Sequence, residues 1–281
     1  RGLGDVYKRQ ITYLYRHQIG NNVYTLELGL MDISEEEVVN ELVPIVESYL
    51  NETLEIVSLK DSMHHLGYTS LVLKHQQNYS LQYGFQQYAL EPLNCGDSFS
   101  AFHQDNLHYL ALSDGMGQGK MAANESKLTL EVLSKLILNG IGLKDTIDSI
   151  NALLKIKNRN DMFTTLDLCN INLANARMKL IKYGANPSYH IRSGMVEKIA
   201  TNSLPVGVVS KLKMVSYEMP LKNNDLIIMS SDGTGNDFEQ IVNDNVHLYC
   251  DQHPQEIATF LMDQVLEKNN LDDISIIAVS Y

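Results

Sequence analysis

Apolar and polar positions along the chain change period twice, and the changes mark its organisation. Val23 to Leu30 reads as a strand. Ser34 then opens a helix, because Ser34 with Glu37 three residues on makes a capping box and acidic residues fill the first turn. Val38, Val39, Leu42, Val46, Tyr49 and Leu50 supply its apolar face, and Pro44 is expected to kink it. Leu54 to Lys60 and Tyr68 to His75 follow as strands. The β-α-β-β order describes a small α+β segment.

A second block begins near Asn78, where Tyr79, Leu81, Tyr83 and Phe85 alternate with polar residues as in a half-buried strand. Leu107 to Ser113 is a strand ending at Asp114. The period then lengthens. A helix is expected over about Met121 to Asn139, with Leu128, Val132, Leu136 and Leu138 on its apolar side and Gly140 as terminator. Another is expected over Leu143 to Lys155, with Ile147, Ile150 and Leu154 facing inward. Phe163 to Leu173, Met178 to Tyr183, Tyr189 to Arg192 and Met195 to Ile199 return to short β segments, with turns at Asn186-Pro187 and Ser193-Gly194. Asp225 to Ser230 is an almost unbroken apolar run. A helix opens at His253-Pro254, and Ile274 to Tyr281 closes the chain as a strand. Strands grouped around two consecutive helices argue against a βαβ repeat and favour antiparallel sheets with helices packed outside.

Composition narrows the function. The chain has 281 residues, 44% hydrophobic and 20% charged, which describes a folded protein of one large or two modest domains. A formal charge of −12 argues against nucleic acid as the main partner, since phosphate binding needs clustered Lys and Arg. Cys95, Cys169 and Cys250 form no Cys-x-x-Cys, which excludes zinc ribbons and thioredoxin-type chemistry and points to a reducing, cytoplasmic compartment. There is no apolar run of membrane-spanning length and no signal peptide, so no membrane contact is expected within this chain. Residues 1–10, RGLGDVYKRQ, resemble a translated sequencing adapter. They are set aside as non-native, and the natural protein is then expected to continue upstream.

The candidate chemistry is acidic. Ser113-Asp114-Gly115-Met116-Gly117, Ser231-Asp232-Gly233 and Asp272-Asp273 each place a carboxylate at a strand end, and Gly96-Asp97-Ser98 adds a fourth. An isolated Asp-Gly is usually only a turn. Asp97, Asp114, Asp232 and Asp272 together describe hard oxygen ligands gathered at one edge of a sheet pair for divalent cations. A glycine after the aspartate leaves the Gly115 carbonyl free to turn toward an ion. The Gly115, Gly117 and Gly119 loop lacks the Gly-Lys-Ser/Thr of a nucleotide P-loop. His64-His65, His103 and His108 read as solvated, Met116 and Met121 as packing residues, and Thr164-Thr165 with Asp167 as strand surface. Ser98, Ser113 and Ser231 have no histidine and carboxylate arranged for nucleophilic catalysis.

These motifs, with Phe163-Thr164-Thr165-Leu166-Asp167 and Leu204-Pro205-Val206-Gly207 between them, occur in an order that resembles bacterial PPM-type (protein phosphatase 2C-like) serine/threonine phosphatases. Within that family the likeness is to the phosphatase domain of stage II sporulation protein E, over residues 78–281. The resemblance implies an α-β-β-α sandwich of two antiparallel sheets flanked by helices, with residues 11–77 as the remnant of an upstream regulatory region. It implies two Mn²⁺ or Mg²⁺ ions and catalysis through metal-activated water. Asp114 matches the bridging ligand with the Gly115 carbonyl beside it, Asp232 and Asp272 match ligands of the second ion, and Asp97 matches an acidic group near the first. It implies as substrate a phosphorylated anti-sigma-factor antagonist, a STAS-domain protein controlling a sporulation sigma factor. A homodimer is left open, as is tethering of the intact protein to a membrane through upstream segments.

The chain departs from many eukaryotic relatives. Gly96 stands where they have Glu, Asp273 where they have Asn, and no arginine matches the one that grips phosphate. Two other readings stand beside the first: a stress-response phosphatase with the same chemistry and another antagonist, and a catalytically silent module that binds a phosphorylated partner.

Overall fold

Nearly continuous apolar runs at 226–230 and 274–280 arise because both faces of these strands are covered. Ile274, Ile276 and Ala278 point to a helical layer, while Ile277 and Val279 point to a second sheet. The computed structural model describes residues 11–18, 24–31, 33–50, 53–61, 68–75, 80–91, 94–117, 119–157, 163–249, 252–268 and 272–281. The adapter-like start, Val23, His64-His65, Asn78-Tyr79 and Cys250 lie outside the described residues. The chain divides into two units, one ending at Tyr79 and the other running from Ser80 to Tyr281.

In the first unit, β1 (Ile11–Gln18), β2 (Tyr24–Met31), β3 (Leu54–Asp61) and β4 (Tyr68–His75) form an antiparallel sheet in the order β1-β2-β4-β3. Between β2 and β3 run α1 (Glu35–Glu37) and α2 (Val43–Leu50), and the capping box at Ser34 and Glu37 forms in both directions. Val38, Val43 and Val46 pack on Leu26, Leu28, Leu71 and Leu73, whereas Val39 and Tyr49 face solvent and are not part of the apolar stripe. Pro44 is accommodated by a change of helical pitch. Residues Val38–Leu42 widen so that Val43 N–H donates to Val38 O, which makes room for the ring, and the helix continues through α2.

The second unit is built from β5 (Gln82–Tyr88), β6 (Asp97–Gln104), β7 (Leu107–Asp114), α3 (Lys120–Leu138), α4 (Leu143–Lys157), β8 (Leu166–Asn172), β9 (Arg177–Tyr183), β10 (Ser188–Arg192), β11 (Met195–Ile199), β12 (Ser216–Pro220), β13 (Leu226–Ser230), α5 (Phe238–Asp244), α6 (Pro254–Leu266) and β14 (Ile274–Ser280). Its strands make two antiparallel sheets, β11-β10-β13-β14-β5 and β12-β9-β8-β7-β6. Leu110, Leu112, Leu180, Met229 and Ile277 interdigitate between the sheets. Leu133, Ile137, Ile147 and Leu154 of α3 and α4 cover the outer face of one sheet. Val242, Ile257 and Leu261 of α5 and α6 cover the other. This is the expected α-β-β-α sandwich. The inward face of α3 is Ala122, Glu125, Ser126, Thr129, Leu130, Leu133 and Ile137, one step round from the expected stripe, and Leu138 is exposed. Polar residues enter that face near the first turn because it lies over the acidic strand ends described next.

Candidate functional site

Asp97 opens β6 and Asp114 closes β7, and the antiparallel register makes them direct cross-strand partners. Like charges placed opposite one another repel, so this pairing carries a cost that needs a reason. The backbone of Asp114 is held tightly in place. Its N–H donates to Thr165 Oγ1 at 2.9 Å, and its carbonyl accepts from Thr165 N–H at 2.8 Å and Thr164 Oγ1 at 2.7 Å. Thr164 also exchanges two backbone bonds with Val206, tying the Leu204-Pro205-Val206-Gly207 loop to the same point. Thr164 and Asp167 are therefore buried rather than strand surface: the Thr164 hydroxyl donates to the Asp114 carbonyl, and Asp167 Oδ2 accepts from Lys182.

Gly115 follows without room for a side chain. A Cβ there would lie 2.1 Å from the Ala122 carbonyl of α3, so glycine permits the first turn of that helix to sit over the strand end. Gly233 does the same on the other sheet, where a Cβ would meet the Asp273 carbonyl at 2.0 Å. Asp232 begins a one-turn helix, Asp232–Thr234, directly after β13. Reciprocal bonds join that strand end to β14, with Ser231 N–H donating to Ser275 O at 3.0 Å and Ser275 N–H to Ser231 Oγ at 2.9 Å. Asp272 lies exposed just before β14 and accepts the Asp273 N–H.

Asp273 turns inward instead. Its two oxygens accept Leu90 N–H at 2.8 Å and Gly96 N–H at 2.6 Å, so this carboxylate pins the turn leading into Asp97. The sequence offers Asp273 only as the neighbour of Asp272 in an acidic pair and as a departure from relatives; its positioning role depends on partners more than 170 residues away. Met116, in the glycine loop, and Met121, in the first turn of α3, are exposed rather than packed in the core. His103 and His108 stack across β6 and β7 at 5.3 Å, at the far end of the hairpin from the aspartates.

The electrostatics bring Asp97, Asp114, Asp232 and Asp272 into one neighbourhood. Burial pushes Asp114 well above the ordinary carboxylate range, and the charges of Asp97, Asp232 and Asp272 push it further. Burial likewise raises Asp97, reinforced by Asp232 and Asp273 and partly opposed by the hydroxyls of Ser231 and Ser275. Asp232 is raised first by burial and then by Asp272, while a hydrogen bond shared with Asp114 pulls it back. Both carboxylate oxygens of Asp97 are buried and neither makes a well-formed hydrogen bond, although the Ser231 and Ser275 hydroxyls lie near enough to favour its charged form. A buried, unpaired carboxylate is costly unless a cation compensates it.

Among the described residues, no three His, Cys, Asp or Glu side chains close around one point as a complete chelating set. Mg²⁺ characteristically keeps several waters and takes one or two carboxylates directly. The orphaned oxygens of Asp97 and the mutual repulsion around Asp114 make the residues present a fit for such a cation. Beneath them, Asp114, Thr165, Asp167, Asn186, Ser231 and Asp232 line a small pocket.

Comparison with known proteins gives the lineage. The family described as stage II sporulation protein E (SpoIIE) matches residues 104–281. Stage II sporulation protein E of Bacillus subtilis (strain 168) is 30% identical over 277 residues, 92% of this chain and 33% of that protein. Its counterpart in Priestia megaterium is 29% identical over 260 residues, 87% of this chain and 44% of that protein. The chain thus spans less than half the length of these relatives. A solved structure of the PP2C phosphatase domain and a fragment of the regulatory domain of SpoIIE from Bacillus subtilis matches with a TM-score of 0.78 at 26% identity, covering 98% of this chain and 84% of that one. The chain belongs to the stage II sporulation protein E family and carries that family's PP2C-type protein serine/threonine phosphatase domain.

Proposed function

We propose that the domain hydrolyses phosphoserine on a STAS-domain anti-sigma-factor antagonist, with Mn²⁺ or Mg²⁺ held by Asp114, the Gly115 carbonyl, Asp232 and Asp272, and with Asp97 acting near the first ion. The observation that carries this reading is the buried acidic cluster at the strand ends, where neither oxygen of Asp97 makes a well-formed hydrogen bond. Two bound cations would supply hydroxide near neutral pH and offset charge on the phosphoryl group. The chain's own residues do the rest. Thr164 and Thr165 fix the backbone of Asp114. Asp273 fixes Gly96 and so Asp97. Gly115 and Gly233 let the helix and the last strand approach closely enough to wall the site.

In this reading the domain works in the cytoplasm and controls a sporulation sigma factor, and the first unit is the end of a regulatory region. Among the described residues no helix is long and apolar enough to cross a membrane. Turnover of a phosphorylated STAS protein with and without Mn²⁺ tests the assignment. Metal-dependent release of phosphate from phosphoserine supports it. Mn²⁺ binding without turnover would make the chain a silent phospho-partner module instead.

A further inference from the structure

Below the acidic strand ends lies a charged pair with no access to solvent. Lys182 on β9 and Asp167 on β8 are cross-strand partners, 0% and 1% exposed, with Nζ and Oδ2 2.5 Å apart. Lys182 Nζ also donates to Asn186 O at 2.6 Å, in the loop that carries the chain from one sheet to the other. Asn186 Nδ2 donates in turn to Ser231 O at 2.8 Å, the carbonyl immediately before Asp232. On the opposite side, Asp167 is in register with Leu112 of β7, two residues before Asp114, and accepts a bond from Ser188 Oγ of β10 at 3.3 Å.

We propose that Asp167, Lys182 and Asn186 form a brace between the two sheets that sets the separation of Asp114 from Asp232, so positioning the carboxylates that bind metal. This rests on the metal reading of the site given above. Lys182 has no exposed surface, so it cannot grip a phosphoprotein. Nor is the pair needed for stability as such, since apolar pairs of similar volume often replace buried ion pairs at no loss. What the charges add is direction: Asp167 Oδ2, Lys182 Nζ, the Asn186 carbonyl and Asn186 Nδ2 link in series to Ser231 O, and so join the strand paired with β7, which ends in Asp114, to the strand end that precedes Asp232. The same two aspartates line the pocket into which Asp167 faces.

The test uses the full chain stripped of metal and titrated with Mn²⁺ alone by calorimetry, alongside thermal unfolding and steady-state hydrolysis of a phosphorylated STAS protein. The apolar pair Asp167→Leu with Lys182→Met should melt close to the parent chain yet bind Mn²⁺ roughly 10- to 100-fold more weakly, the range seen when partners of metal ligands are removed. Its kcat should fall while KM holds. Asn186→Ala, which leaves the ion pair intact and breaks only the link to Ser231, should show the same split with a smaller loss. If the double variant does not fold, Asn186→Ala decides alone. Parent-like Mn²⁺ affinity in the folded variants would overturn the brace and leave the phosphatase reading standing. Failure of the parent chain itself to bind Mn²⁺ would overturn both.

Discussion

The second unit buries carboxylates in two opposite ways. Asp225, 1% exposed, accepts Arg192 Nε at 2.7 Å and a second guanidinium bond, accepts Lys222 N–H at 2.8 Å, and has His190 Nε2 at 3.4 Å. Burial alone would raise its pKa, but the Arg192 hydrogen bond, the Lys222 amide and the neighbouring positive charges outweigh it and hold it below the ordinary value. Asp97 is buried almost as deeply, and Asp114 is largely enclosed, yet what surrounds them is more carboxylate, so both are driven upward. Burial is common to both places. What differs is the counter-charge, present at one and missing at the other. The fold supplies Asp225 with a guanidinium and a backbone donor and gives Asp97 neither, and that difference is the ground on which the metal reading proposed above rests.

The sharpest way to break this contrast is Asp114→Asn. Turnover of the phosphorylated substrate should fall about 100- to 1,000-fold, the scale for losing one preorganised electrostatic group. The metal-free variant should nevertheless be as stable as the parent or more so, by up to ~1 kcal/mol, because a cross-strand repulsion is removed. Full turnover, measured as phosphate release, would remove Asp114 from the site.

The next effect is on stability. Mn²⁺ at about 100 times its dissociation constant should stabilise the parent chain by ~2.7 kcal/mol. For a domain of this size that is a rise of roughly 5–10 °C in the unfolding midpoint, visible by differential scanning calorimetry. The increment should vanish in the doubly substituted Asp114→Asn, Asp232→Asn chain. A parent chain whose midpoint ignores Mn²⁺ would mean that the orphaned oxygens of Asp97 serve some other purpose.

Much of this arrangement is legible in the sequence, and the boundary of legibility is physical. Apolar runs flanked by Asp-Gly report a buried strand that ends in a polar turn, and both signals are local. The four-layer sandwich follows from strands grouped around two consecutive helices. That Asp97, Asp114, Asp232 and Asp272 share a neighbourhood needed the ordered motif set, since no single Asp-Gly carries it. Side chains whose partners are remote stayed hidden. Asp273 looks like a spare carboxylate until Leu90 and Gly96 are beside it. Asp167 reads as strand surface until Lys182 pairs with it across the ladder. The alternation of β8 offered a hint, because Leu166 and Leu168 flank Asp167, but both faces of that strand are buried and alternation no longer separates inside from outside. Widening of the helix before Pro44 was likewise invisible, since proline signals a disruption without saying which kind.

Asp225→Asn probes the compensated side of the comparison. Buried pairs cost roughly 3–5 kcal/mol to break, but the Arg192 side chain is 27% exposed and can recover water, so a loss of about 2 kcal/mol is expected. The pH dependence fixes its origin. The folded pKa of Asp225 lies below the unfolded one, so its stabilisation is fully present above the unfolded value near ~3.9 and is lost as pH falls through the folded value. Parent and variant should therefore differ most at neutral pH and converge in acid. Equal stability at neutral pH would show that the cage around Asp225 contributes nothing, and the contrast with Asp97 would lose its reference.

The smallest effect belongs to an ion pair on the surface. Lys198 and Glu239 meet at 2.5 Å between β11 and α5, with side chains 43% and 45% exposed. The distance is as short as that of the buried Lys182–Asp167 pair, so proximity alone would rank the two together. Solvent screening and the entropy of two long side chains argue otherwise, and Lys198→Ala should change stability by no more than ~0.5 kcal/mol, less in high salt. The measurement is a denaturant midpoint taken beside that of Asp225→Asn. If the exposed pair proved as costly to lose as the buried carboxylate's cage, counter-charge would matter regardless of burial, and the unpaired oxygens of Asp97 would no longer stand apart from any other acidic group on this protein.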